Sequence, residues 1–314
     1  MTMRAERQSF DAMLAGRASG RPPWLPLVAG LAARVAATSY RELTLDPGLW
    51  AAGLVGAAEL LEADALVVGF DLTLTAEACG AELSWSGSAP VIVRPPPDVG
   101  PQPLAAPRQA AMLETVRRLS ATASARFGLV AAVIGPATLA LQLCPDVPLD
   151  EGMKRVKSAH MAVTEAVLKA RPDVVMFVEH LRGSETESLR AWQRAFGTLR
   201  NLAAHYDVPT AVYVDGWAAH QVAALATLKV SAYLLGTGAG DALASARILA
   251  AGPAAVGVPL AGVAGVDARA MVAAVCAARD EGCNLFLTTA GAVTADGDLA
   301  GLRAFAAQLH GLAA

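Results

Sequence analysis

Cysteine is scarce in this 314-residue chain: Cys79, Cys144, Cys276 and Cys283 lie far apart, with no CxxC pair. That spacing argues against a disulfide framework and a sulfur-rich metal site, and it fits a reducing, cytoplasmic environment. Charge is also thin, with 17% of residues charged, a net charge of −3 and a sequence pI of about 6.0. No basic arm or basic–aromatic interleaving is present, so nucleic acid is not an expected partner. The opening MTMRAERQSFDAMLAG sets charges into a helical pattern and lacks the apolar core of a signal peptide. The stretch Ile248 to Val266 is uncharged and nearly long enough to span a bilayer, but Gly252, Pro253, Gly257, Pro259, Gly262 and Gly265 interrupt it. It reads as helix end, loop, buried strand and loop. The hydrophobicity comes mostly from alanine, and no membrane association is expected.

What the chain does have is a regular alternation. Eight apolar, strand-like runs recur: Trp24 to Val28, Ala65 to Phe70, Leu129 to Ile134, Val174 to Val178, Thr210 to Val214, Ala232 to Leu235, Ala254 to Pro259 and Asn284 to Thr289. Several are continuous rather than alternating, as in strands covered on both faces. Helical patterns fill the gaps, among them Pro47 to Glu62, Ala106 to Phe127, Asp150 to Ala170, Glu185 to Tyr206, Ala218 to Leu228 and Asp267 to Glu281. Such alternation implies parallel pairing, and eight units imply one domain over residues 1–314, an α/β fold of the (β/α)8 TIM-barrel type. A doubly wound open sheet is the alternative. Leu83 to Pro107, rich in proline, breaks the rhythm and reads as a hairpin and loop inserted on the upper face of the barrel after the second strand.

Candidate functional residues cluster at strand ends. Asp71 follows the second strand, where barrels of this kind keep their chemistry; the competing reading is a cap for the next segment. Glu179 and His180 end the fourth strand and Asp215 ends the fifth, so these carboxylates converge with Asp71 on one mouth as a polar floor or an oxygen- and nitrogen-rich metal site. Trp24 and Tyr213 sit on strands, as core or as substrate platform. Glu77 bonds either a substrate amine or a backbone amide. His160, His205, His220 and His310 fall on or near helices and read as surface residues. The glycine-rich Gly236 to Gly240 is read as a flexible loop rather than an anion cradle, since no lysine accompanies it and Asp241 would repel an anion.

The ordered motifs resemble the uroporphyrinogen decarboxylase superfamily, which also contains corrinoid-dependent methyltransferases. Arg21-Pro22-Pro23-Trp24-Leu25 is similar to the opening Arg-Pro-x-Trp strand, and Asp64 to Gly80 matches the segment that carries the decarboxylases' essential Asp, here Asp71. Gly135-Pro136-Ala137-Thr138-Leu139-Ala140 resembles the Gly-Pro-x-Thr-Leu-Ala signature, and Gly262 to Asp267 a loosened Gly-Asn-x-Asp-Pro loop. The wording around Glu77 leans toward the methyltransferase branch.

Two departures shape what the resemblance implies. Where the decarboxylases place two arginines that grip substrate carboxylates, this chain has Leu27 and Leu31, with Arg34 at shifted register. Where the zinc-type methyltransferases place His-x-Cys and a late Cys, it has Tyr213-Val214-Asp215 and Thr288-Thr289-Ala290-Gly291, so no metal is assigned. The resemblance then implies a methyltransferase for a small or heterocyclic substrate, with a corrinoid or tetrahydrofolate-type (pterin) co-substrate, a corrinoid protein as partner and a homodimer. Asp71 would be catalytic, with Trp24, Glu77, Glu179, His180, Tyr213 and Asp215 binding substrate. Decarboxylation of a tetrapyrrole, gripped by Arg34 or Arg94, and a non-catalytic corrinoid- or tetrapyrrole-binding barrel are the alternatives. Asp71→Asn is expected to abolish turnover and leave the melting temperature nearly unchanged.

Overall fold

The computed structural model describes residues 5–17, 20–85, 89–99, 103–180, 186–260 and 266–311. Eight strands form its main sheet: β1 (Trp24–Leu25), β2 (Ala65–Val68), β3 (Gly128–Ile134), β4 (Val174–His180), β5 (Thr210–Asp215), β6 (Ala232–Leu235), β7 (Ala255–Leu260) and β8 (Leu285–Thr289). All pairings in it are parallel, in the order β1-β8-β7-β6-β5-β4-β3-β2. The last seam, between β1 and β2, is joined by one residue. Asp64 N donates to the Trp24 carbonyl at 2.9 Å, and its carboxylate accepts from Trp24 N at 2.6 Å. Arg21 grips the same carboxylate through two nitrogens at 2.7 and 2.8 Å. The ring is a (β/α)8 barrel, and the open sheet is excluded.

Alternation along each strand divides the core. Val174, Met176 and Val178 of β4, with Ala211 and Tyr213 of β5, pack inside the barrel. Val175, Phe177, Val212 and Val214 belong to the core shared with the helices. The helix Ala5–Leu14 closes the lower end: Phe10 and Met13 are buried in the interior cluster, and Arg7 reaches Asp173 at 2.6 and 2.9 Å.

The upper end is built from loops. The proline-rich insertion forms the antiparallel hairpin Glu82–Ser84 with Val91–Arg94, and Ala89 and Pro90 reach the mouth. The helix expected over Ala218 to Leu228 is instead a 3-10 turn, Ala219–Gln221, and a short helix, Val222–Ala226. Trp217 and Ala218 are held extended by pairing with Gly238 and Ala239, which delays the helix. The same contact fixes the glycine-rich loop, whose Gly236 carbonyl accepts from Trp217 Nε1 at 2.9 Å. Asp241 caps the helix that follows by accepting from Ala244 N at 3.0 Å. Of the Gly262 to Asp267 motif, residues 261–265 lie outside the described residues, and Val266–Asp280 is helical. Among the described residues, no helix is long and apolar enough to cross a membrane.

Candidate active site

A cavity of about 330 Å³ opens at the C-terminal end of the strands, walled by Phe70, Leu72, Val178 and Tyr213 among others. Its ionisable lining, among the described residues, is Tyr40, Asp71, Glu179, His180, Tyr213 and Asp215. Neither Lys nor Arg is among them.

Asp71 is placed by a tight turn after β2. Gly69 adopts φ +78°, which a residue with a Cβ takes only with strain, and a Cβ there would meet the Ala132 carbonyl at 2.9 Å. Asp71 N donates back to the Gly69 carbonyl at 2.7 Å. One carboxylate oxygen accepts from Thr73 N at 2.8 Å and Thr73 Oγ1 at 2.6 Å. The other accepts from Arg108 in a short ion pair and from the Tyr40 hydroxyl at 3.3 Å. All four in-plane acceptor positions are therefore filled.

Arg108 is 3% exposed and also donates to Glu77 at 2.8 Å and Thr44 Oγ1 at 3.0 Å, beneath the Trp85 ring with its centroid at 4.8 Å. Burial works against its charge, but Asp71 and Glu77 outweigh burial and hold its pKa above the ordinary value. Burial, then the Asp71 charge, pushes the Tyr40 phenol well above its usual pKa, so it stays a donor. Sequence reasoning missed both residues, although each leaves a signal. Ser39 and Glu42 form a capping box that starts the short helix carrying Tyr40. Arg108 stands in the first turn of its helix, against the helix dipole, a placement that a local carboxylate offsets.

His180 and Asp215 are the last pair of the β4–β5 ladder, and His180 Nδ1 lies 3.0 Å from Asp215 Oδ2. Both side chains are partly exposed, at 33% and 25%. Tyr213 lies beneath them, donating to the Ala290 carbonyl at 2.7 Å and meeting Phe70 edge-on. Burial, with a smaller push from Asp215, raises its phenol pKa.

The structure separates the other expected residues from this group. Glu179 borders the cavity, yet its carboxylate is fully buried and turned toward the helix Pro136–Leu143. It accepts from Ala137 N, Thr138 N, Thr138 Oγ1 and Trp192 Nε1 at 3.1, 2.9, 2.5 and 2.8 Å. It is a helix cap supplied by another strand, not a free ligand. Burial raises its pKa against the pull of these donors. Gly135 makes room for it, since a Cβ there would sit 2.1 Å from Glu179 Cδ. Trp24 is fully buried against Phe305 on the helix side of β1 and does not line the cavity. Glu77 is paired with Arg108 and is not among the described cavity-lining residues. His160, expected on the surface, is 2% exposed: Nε2 bonds the Ile134 carbonyl at 2.7 Å, and burial lowers its pKa to about 4. His205 and His220 are exposed, while His310 is half-buried between Glu62 and Arg21. Among the described residues, no group of three or more His, Cys, Asp or Glu side chains is arranged to hold a metal ion.

The profile of the uroporphyrinogen decarboxylase (URO-D) family matches residues 5–175, more than half of the chain. The chain belongs to the uroporphyrinogen decarboxylase family. Two solved structures share its fold. A methyltransferase from Methanosarcina mazei aligns over 100% of both chains at 17% identity and TM-score 0.78. A B12-independent methionine synthase from Shewanella sp. W3-18-1, in complex with selenomethionine, aligns over 93% of this chain and 98% of its own at 13% identity and TM-score 0.61. Comparison with curated proteins gives no significant match. Within this decarboxylase-family frame, the arginine positions are closed: Leu27 and Leu31 are fully buried. Arg34 bonds the carbonyls of Ala295 and Gly297, and Arg94 pairs with Glu82 on the exposed hairpin.

Proposed function

We propose that this family member is a methyltransferase that moves a methyl group from a corrinoid- or pterin-like donor to a small, uncharged acceptor in the mouth cavity. One observation carries the reading: the described lining holds no Lys or Arg, and the nearest buried cation, Arg108, is already committed to Asp71 and Glu77. A polycarboxylate entering this cavity would lose water without gaining a guanidinium, at a cost of several kcal/mol per unpaired group. A neutral acceptor meets no such penalty, and the volume lies at the small end of ligand pockets.

Asp71 serves as the polar anchor for the donor. Its longest bond, to Tyr40, is the one that a heterocycle N–H displaces, leaving Arg108 and Thr73 to hold the carboxylate in place. His180 and Asp215 face the second reactant, with Tyr213 as the floor. The test is to incubate the protein with methylcobalamin or methyltetrahydrofolate and a panel of small nucleophiles, and to follow methylated product by mass spectrometry. Methylated product supports the reading. Loss of carboxylates from uroporphyrinogen without any methyl transfer would sink it in favour of decarboxylation. Tight corrinoid binding with no product would mark a carrier barrel.

A further inference from the structure

Of the six ionisable side chains that line the cavity among the described residues, four are committed to the protein. Glu179 has its acceptor positions filled, Asp71 opens one only where the donor displaces Tyr40 and so has none for a second reactant, Tyr40 donates to Asp71, and Tyr213 donates to Ala290. His180 and Asp215 remain, paired with each other and more exposed than Asp71 or Glu179. Their bond requires the hydrogen on Nδ1 and leaves Nε2 as the nitrogen for a ligand. A carboxylate behind an imidazole fixes its tautomer and stabilises the imidazolium once a proton arrives.

We infer that His180, oriented by Asp215, is the base that removes the proton from a thiol acceptor, performing without metal the activation that a thiolate-generating zinc would supply. The inference rests on the methyltransferase reading and names its acceptor. A thiol fits because ordinary thiols and imidazoles lie only about two pKa units apart. An alcohol lies far outside the reach of an imidazole. In the step, His180 Nε2 takes the S–H proton, and the sulfur lone pair forms the new bond to the methyl carbon. The bond from that carbon to the donor breaks with its electron pair left on the donor. The imidazolium then releases its proton to water through its partly exposed edge.

The experiment uses the full chain, first treated with a chelator and then titrated at neutral pH with 2-mercaptoethanol. Thiolate is read by ultraviolet difference absorbance, with methyl transfer assayed separately. The expected result is a thiolate signal indifferent to chelation, at least tenfold weaker in His180→Gln and reduced in Asp215→Asn. Both variants should melt within a few degrees of the parent, and transfer should fall about 100-fold or more in His180→Gln. Absence of thiolate in the parent, persistence in His180→Gln, or loss on chelation would each overturn the inference. Methyl transfer without thiolate keeps the proposed function and removes the dyad from it. Thiolate without transfer from either donor class supports the dyad and removes the methyltransferase.

Discussion

Asp71 and Arg108 neutralise each other in a nearly dry setting, with side chains 5% and 3% exposed, so either one removed leaves a buried charge. That changes what a substitution at Asp71 does. Asp71→Asn is expected to abolish turnover, as the strand-end position suggests, but also to destabilise the fold by about 3 kcal/mol. Glu77 remains to hold Arg108, which keeps the loss at the lower end of the range for broken buried pairs. Urea denaturation of the variant beside the parent measures this, and an unchanged midpoint would show that the pair contributes nothing to stability. The carboxylate of the neighbouring Glu179 is turned away from the expected group for a reason written in the strand. Val174, Met176 and Val178 face the interior, so His180 follows them inward and Glu179 turns outward by simple alternation.

That outward turn ties two elements together. The Glu179 carboxylate satisfies the first amides of the Pro136–Leu143 helix, where the sequence offers no capping side chain of its own. Glu179→Gln removes the charge from this cap and is expected to cost about 1–2 kcal/mol. Gly135→Ala should cost about 1–3 kcal/mol by forcing the same carboxylate aside, with thermal melting as the readout for both. A second tie is His160, which joins the helix Leu149–Lys169 to the end of β3. Its pKa is lowered from 6.5 to about 4 in the folded state, so between these values the unfolded chain binds the extra proton. Stability from this residue is present above about pH 6.5 and is lost as pH falls toward 4. The loss between pH 7 and pH 5 is about 2 kcal/mol. His160→Gln, which keeps a donor for Ile134, should flatten that part of the pH profile in paired denaturation curves.

At the scale of the whole molecule, the barrel separates stability from chemistry end to end. The lower end is plugged by Phe10 and Met13 and clamped by Arg7 on Asp173, while the cavity occupies the upper end. Phe10→Ala is therefore expected to lower stability by about 3–5 kcal/mol while leaving turnover per folded molecule unchanged. Denaturation and active-site titration of the same preparation check both halves. A shift in substrate affinity would show that the two ends are coupled.

The amino-acid sequence by itself determined the barrel. Each of the eight expected strands overlaps an observed one, and Ala232–Leu235 matches residue for residue, because continuous apolar runs bounded by turns have few other places to go. It also determined which strand ends carry polar groups, and hence Asp71, His180, Tyr213 and Asp215 at the mouth. Only the tertiary structure decided which of these groups are free. Arg108, 37 residues along the chain from Asp71, closes on it from the first turn of its own helix. Glu179 is taken up by a helix from the preceding unit, and Trp24 by Phe305 near the other terminus. Hydrogen-bond capacity is filled by neighbours in space, and local spacing carries no record of those neighbours.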